Sequence, residues 1–326
     1  MERRTATNPP PGARSVIVSF SPHAGAVSTE RRARDIAAAL ERRDCEVLLT
    51  NELGELEAVA AEWHLAGELR AIVACGGDGT AATVRNHAPL AVPLLPVPLG
   101  TENLLGRYLR QEPTADAVCE TVEAGMVAEF DLGRAQGTDG SRMQYFLMMV
   151  SAGFDAEVVR RLHDRRRGHI TRLSYLQPVL ESIRSYEYPE LRLYCLDNHQ
   201  AEPLACRWAF AFNLPLYARG WQLAPAATGT NGRLDVCTFE RGSLFHGLRY
   251  LWHVMRETHQ HLSDARIVQG QRFRLEAATN NVPYQLDGDF AGMLPVELEL
   301  LPRQLRMLVM PEVASRLGFA IETGNA

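Results

Sequence analysis

Apolar and polar positions alternate between two periods in the first third of the chain. Ser15 to Phe20 is a short apolar run with the length of a buried strand. Ser21-Pro22-His23-Ala24-Gly25 follows as a turn. Glu30 to Arg43 then places apolar residues at 33, 36, 37 and 40, the stripe of a helix. Val47 to Thr50 predicts a second strand, Leu53 to Leu65 a second helix, and Ala71 to Ala74 a third strand. Leu94 to Val97 adds a strand, Glu102 to Leu109 and Thr114 to Ala124 add helices, and Val127 to Leu132 is a strand ending near Asp131. Strands and helices alternating at these lengths predict a parallel sheet covered on both faces, a Rossmann-like α/β domain.

Near residue 134 the pattern changes. Met143 to Val150, Leu191 to Leu196, Cys206 to Asn213, Leu234 to Phe239, Arg272 to Ala277 and Val296 to Leu301 all read as strands. Helical stretches interrupt them only at about 155 to 186 and 243 to 262. The second half is therefore expected to be an antiparallel β-sandwich. Gly133 to Ser141, polar and glycine-rich, is the expected junction. The expected division is an α/β domain over 1–133 and a sandwich over 134–302, with a tail, 303–326, containing a short helix over Met310 to Leu317.

A chain of 326 residues has room for two cores. With 46% hydrophobic and 22% charged residues it has the composition of a globular protein. Its formal charge of −5 argues against a dedicated nucleic-acid binder. The six cysteines, at 45, 75, 119, 195, 206 and 237, form no C-x-x-C pair, which predicts reduced thiols and a cytoplasmic setting. The first fourteen residues are polar and Pro-rich and predict a disordered leader. The most apolar stretch, Ala88 to Leu99, contains Pro89, Pro93, Pro96 and Pro98 and cannot be a spanning helix, so any membrane contact must be peripheral.

Candidate chemistry concentrates in two loops. Cys75-Gly76-Gly77-Asp78-Gly79-Thr80 joins an apolar strand to a small-residue helix start. Glycines let the chain turn sharply and let a ligand approach the backbone. The free N–H groups of a helix start favour an anion, usually a phosphate. Asp78 would repel a phosphate, so it suits a metal ion or the network that organises one. No Gly-Lys-Ser/Thr follows, which excludes a Walker A loop. Pro96-Val97-Pro98-Leu99-Gly100-Thr101-Glu102-Asn103 is a second strand, glycine turn and helix start. Further on, Gln285-Leu286-Asp287-Gly288-Asp289 reads by itself as an ordinary Asp-Gly turn between strands.

In this order, GGDGT, PLGTEN and LDGD resemble the diacylglycerol kinase catalytic family, which includes sphingosine and ceramide kinases and shares its first loop with NAD kinases. The resemblance runs over residues 14 to 312. It implies a lipid kinase using ATP and Mg²⁺. It implies that Gly76, Gly77, Gly79 and Thr80 surround the ATP phosphates, with Ser21, Gly100, Thr101, Asn103 and Asp289 as further nucleotide-side residues. It implies Asp78 and Asp131 as parts of an acidic chain supporting the metal, with Asp78 also catalytic, and Asp287 as the base for the lipid hydroxyl. The tail is expected to pack on the first domain. A lipid substrate and transient contact with the inner face of a membrane are the implied partners; nucleic acid is not one, and a homodimer is left open. Ser151 to Ala156 matches the family's Gly-Phe-Asp-Ala run, where Asp155 is either a helix cap or a part of the site.

The chain also departs from the family. Ser21 stands for the usual Asn, and Leu104 for an Asp in the acidic chain. The loop from Ala226 to Asp235 keeps the Gly-x-Leu-Asp ending but lacks the early acids of the family's structural magnesium site. These departures keep two rivals open beside an NAD kinase-like enzyme: a nucleotide-binding regulator without transfer, and a membrane adaptor using the basic run Arg160, Arg161, Arg165, Arg166, Arg167 and Arg172. The apolar stripe Leu244, Leu248, Leu251, Met255 and Leu262, with Trp252 beside it, is expected to pack into the core. His253, His259 and His261 are expected at the surface.

Overall fold

The computed structural model describes residues 4–22, 29–137, 143–164, 185–198, 200, 202–217, 221–279 and 281–322. His23 to Gly25, Arg165, Arg166, Arg167 and Arg172 lie outside the described residues. So do residues 138–141 of the expected junction and residues 165–184 of the helix expected to 186. Two compact units are present, Met1–Phe130 with Arg303–Ala326, and Asp131–Pro302. The division thus falls at 130/131, inside a strand.

Along the first unit run β1 (Thr5–Ala6), β2 (Ser15–Phe20), α1 (Thr29–Glu41), β3 (Glu46–Thr50), α2 (Leu53–Ala66) and β4 (Leu69–Gly76). Then come α3 (Asp78–His87), β5 (Leu94–Pro98), α4 (Leu104–Tyr108), α5 (Ala115–Ala124) and β6 (Met126–Gly137), which carries the chain past the boundary. The second unit adds β7 (Gln144–Phe146), β8 (Met149–Gly153), α6 (Phe154–Asp164), β9 (Leu191–Cys195), β10 (Leu204–Cys206), β11 (Trp208–Phe212) and β12 (Leu234–Phe239). It continues with α7 (Leu244–Met255), β13 (Ala265–Gly270), β14 (Arg272–Ala277), β15 (Pro283–Leu286), β16 (Asp289–Met293) and the long β17 (Val296–Val309). The chain ends with α8 (Pro311–Arg316) and β18 (Ala320–Ile321).

In the first unit β3, β2, β4, β5 and the end of β17 are neighbours in that order, all parallel. All six residues of β2 are buried, as expected of a strand covered on both faces. Val16, Val18, Val73, Leu95, Ile36, Leu40, Val118 and Leu308 share one core. The leader expected to be disordered is paired from Thr5 onward. β1 runs parallel to β18, Ala6 is fully buried, and Thr7 bridges to Val127. This pairing is backbone to backbone, so polar composition does not reveal it.

The second unit is a sandwich of antiparallel sheets, as expected. One has the order β13-β12-β11-β8-β15-β16, and the other contains β10-β9-β14 and the start of β17. Val150, Ala209, Val236 and Tyr284 from the first sheet share a core with Leu193, Phe273, Leu275 and Leu298 from the second. Gly133 lies opposite Phe146 in the β6–β7 pair, and a Cβ there would stand 2.2 Å from the Phe146 ring. The single strand expected over 143–150 is broken into β7 and β8, and β13, β15 and β16 are additional to the expected strands.

Two expectations about the α7 region are corrected. Its stripe does not pack into the core: Leu244, Leu248, Leu251 and Met255 are exposed. The inner face is instead Tyr250 and Val254, with Gly247 against Trp208. His259 is not at the surface; it is 1% exposed, and its Nε2 lies 2.8 Å from the Leu223 carbonyl oxygen.

Asp264 anchors α7. Its two oxygens accept from both Arg249 terminal nitrogens at 2.8 Å, and one also accepts from the Tyr250 hydroxyl at 2.9 Å. These bonds, the Arg249 pair first, hold the Asp264 carboxyl down at about 2. A depressed folded-state value stabilises above the unfolded carboxylate value and is lost as pH falls through the folded one. The attachment of α7 is therefore expected to be complete above roughly pH 4 and to weaken toward about 2. Hydrogen exchange of the α7 amides against pH checks this; protection unchanged down to the lower limit would refute it.

Candidate functional site

β4 and β5 are neighbouring parallel strands, with Gly76 opposite Pro98 in register. Their carboxyl ends therefore release both glycine loops at one edge, where open α/β sheets bind ligands. The loops touch. A Cβ on Gly100 would stand 2.5 Å from the Gly77 Cα and 2.9 Å from its nitrogen. Leu99 N–H donates to the Gly76 carbonyl at 2.8 Å. Asn103 closes the second loop on itself: its Oδ1 accepts from Gly100 N–H at 2.7 Å and its Nδ2 donates to the Gly100 carbonyl at 2.8 Å.

Asn103 adopts a left-handed conformation, φ 52°, so the helix expected from Glu102 begins only at Leu104. Asp78 supplies the acceptors for that start. Its two oxygens accept from Leu104 N–H and Leu105 N–H, each at 2.9 Å. Burial pushes the Asp78 carboxyl above its ordinary range, and the two amide bonds act the other way. Position 104, where the family carries an acid, thus meets Asp78 through its backbone.

Gly77 is the N-cap residue of α3, and no side chain caps it. The first N–H groups of a helix have no partner within it and form an anion site with the helix dipole. Gly79 and Thr80 lie in this first turn, and Thr80 N–H donates to the Gly77 carbonyl at 3.0 Å. Thr101 is exposed on the second loop, and Ser21 is half-buried just past β2. Cys75 precedes the first loop, but burial raises its thiol to about 12, which leaves it unreactive.

In the second unit Asp287 sits at the tip between β15 and β16 in a left-handed conformation, φ 50°. It is 8% exposed. Its Oδ2 accepts from Leu147 N–H at 2.6 Å, and its Oδ1 from Met148 and Met149 N–H at 2.8 and 2.9 Å. Three amide dipoles favour the ionised carboxylate and fix its orientation. Asp289 opens β16 and is exposed. The turn is braced by groups that no motif marks. Gly288 N–H donates to Gln285 Oε1 at 2.7 Å, and Gln285 Nε2 donates to Ser151 Oγ at 2.9 Å. Ser151 donates to Asp155 at 2.5 Å, and Asp155 also accepts from the Tyr217 hydroxyl at 2.7 Å. Asp155 is therefore a member of this chain and not a helix cap. Ser151 and Gln285 share one face of neighbouring strands, a placement only the β8–β15 register reveals.

Asp131 opens this unit, fully buried. Its Oδ2 accepts from Gly232 N–H at 2.7 Å, and its carbonyl accepts from Asn213 Nδ2 at 2.7 Å. Asp235, at the end of the acid-poor loop, accepts from Gln269 at 2.7 Å. Among the described residues no group of three or more His, Cys, Asp or Glu is placed to hold a metal ion. Arg160 and Arg161, from the basic run, pair with Glu157.

A parallel α/β unit with paired glycine loops, together with an antiparallel sandwich, defines the fold shared by lipid and NAD kinases. Residues 15–135 match the model of the diacylglycerol kinase catalytic domain, and residues 148–309 that of the YegS C-terminal NAD kinase beta sandwich-like domain. The diacylglycerol kinase of Bacillus subtilis is 27% identical over 77% of this chain and 81% of its own. A Pseudomonas fluorescens protein named "Probable lipid kinase YegS-like" is 30% identical over 62% of this chain and 67% of its own. A Bacillus anthracis diacylglycerol kinase structure superposes with a TM-score of 0.63 at 18% identity, covering 92% of this chain and 98% of that one. Yeast NADH kinase complexed with NADH superposes with a TM-score of 0.55 at 11% identity, covering 97% of this chain and 93% of that one. The chain belongs to the diacylglycerol kinase catalytic-domain family, a family of kinases.

Proposed function

We propose that this protein is an ATP-dependent lipid kinase that transfers the γ-phosphate to a lipid hydroxyl, with diacylglycerol as acceptor and phosphatidic acid as product. The observation that carries the reading is the contact of two glycine loops at adjacent strand ends, beside the uncapped start of α3. Backbone N–H groups there suit the phosphates of ATP, with Gly77 and Gly79 nearest the helix start and Thr80 offering its hydroxyl, its N–H being given to the Gly77 carbonyl. Phosphoryl transfer through a loose transition state asks mainly for positioning and charge neutralisation. A carboxylate held as an anion by three amides is a weak base but a well-fixed acceptor. On this reading Asp287 orients the lipid hydroxyl and takes its proton late.

The fit to magnesium is different. Asp78 turns both oxygens to α4, and among the described residues no group of three or more His, Cys, Asp or Glu is placed to hold a metal ion. Kinase magnesium is bound by one or two carboxylates together with the substrate's phosphates, so a single carboxylate beside the glycine loops would suffice to support it. The use of Asp78 as a helix anchor favours one rival, a nucleotide-binding protein without transfer.

Radiolabelled ATP with Mg²⁺ and mixed micelles of diacylglycerol, monoacylglycerol, sphingosine and ceramide separates the readings, with NAD in a parallel reaction. Label is expected in diacylglycerol. Label in NAD alone would make the chain an NAD kinase. Nucleotide binding with no labelled product would establish the regulator instead.

A further inference from the structure

The outer face of α7 is apolar where a helix facing water should be polar. Phe245 is 73% exposed, Leu248 58%, Trp252 55% and Met255 54%, with Leu244 and Leu251 beside them. At about 100° per residue these six occupy one continuous arc. The inner face cannot exchange with it. Gly247 seats against Trp208, Tyr250 stacks on Phe239 with ring centroids 4.3 Å apart, and Arg249 is bidentate on the buried Asp264. The apolar face is therefore fixed outward.

Charge selects the occupant. Leu244–Met255 contains no Asp or Glu. On the wheel, Arg256 flanks the apolar arc with His246 and His253 on the same side, while Arg249 there is neutralised by Asp264. Arg256 lies over the Trp252 ring, 4.3 Å from its centroid. Trp, Phe and Leu on one face with cations beside it is the pattern of a helix lying in a bilayer interface. A second copy fits less well. Twelve residues span about 18 Å, and one face of such a helix falls well short of the roughly 800 Å² per partner of a stable protein pair.

We propose that α7 is the membrane-docking surface of this protein, seated in the interface of an anionic bilayer with Phe245, Leu248 and Trp252 inserted and Arg256 at the headgroups. The purpose of the docking rests on the lipid-kinase reading, because diacylglycerol resides in the bilayer. The docking itself is tested without that reading.

The test is sedimentation with phosphatidylglycerol–phosphatidylcholine vesicles, comparing wild type with Leu248→Glu and Trp252→Glu. Both sites are exposed, so folding should survive; circular dichroism and thermal melts verify it. Wild type is expected to bind, more strongly as the anionic fraction rises, and each variant to bind at least tenfold more weakly. Trp252 emission is expected to shift to the blue on binding, a signal that Trp252→Phe removes. Equal binding of wild type and both variants would overturn the proposal. So would absence of wild-type binding at every composition, or a concentration-dependent dimer that Leu248→Glu abolishes. If docking holds while no lipid is phosphorylated, the kinase reading fails and the docking surface stands.

Discussion

Gly100→Ala is expected to weaken ATP binding by a hundredfold or more while leaving the sandwich unit folded. The added methyl would meet the Gly77 Cα at 2.5 Å and the Gly77 nitrogen at 2.9 Å, both of them backbone atoms, and Asn103 Oδ1 at 2.9 Å. A flexible side chain could swing aside; a backbone at the start of α3 cannot move without carrying its N–H groups with it. Overpacking of this kind costs about 1–3 kcal/mol in stability, and displacing the amides from the phosphates costs binding as well. The loops are coupled through Asp78, which holds the start of α4, so the disturbance should spread to Leu104 and Leu105. Gly54→Ala is the control, because nothing lies within 4 Å of a Cβ there. Titration with a fluorescent ATP analogue gives the answer, and wild-type affinity in Gly100→Ala would remove the loop contact from the site.

Asp287→Asn is expected to lower lipid phosphorylation by about 10²–10⁴-fold with ATP affinity unchanged. It should also destabilise the second unit. An Asn presents one acceptor oxygen where the carboxylate presents two, and its NH₂ would face an amide that itself donates. At least one of the N–H groups of Leu147, Met148 and Met149 is left unpaired, at about 1–3 kcal/mol. The two consequences separate in measurement. Denaturant titration reports the lost amide bond, while turnover measured well below the unfolding transition reports the lost acceptor for the hydroxyl proton. Near-normal turnover in a destabilised variant would make Asp287 a purely structural anchor.

What was legible in the sequence follows from where the free energy lies. Ser15–Phe20 and Leu234–Phe239 bury every residue, so their apolar content marked them at once. β15 and β16 are short and carry Pro283 and Gly292, and their pairing depends on register with β8, which no local pattern encodes. The two glycine loops were recognisable one at a time, yet their contact comes from the parallel order of β4 and β5. Asp287 stood out through its motif, whereas Ser151, Gln285 and Tyr217 act through bonds spanning 62 to 134 residues of sequence. The stripe of α7 was plain, but periodicity identifies a face without telling whether protein or some other medium covers it. His259 was misplaced at the surface because a single buried histidine bonded to a carbonyl leaves no pattern.

The parallel sheet of the first unit is completed by the far end of the chain. Met307 pairs with Leu94, Leu308 is fully buried in that unit's core, and β18 pairs with β1. The second unit ends at Pro302, partway along β17. During synthesis the ribosome therefore delivers every residue of the second unit before the first can close. The nascent α/β half must wait with an open sheet edge at β5, and its glycine loops gain their lasting support last. Order of emergence is thus reversed relative to order of completion, and a released chain ending at residue 302 would lack the strand end and the β18 pairing that complete the α/β half.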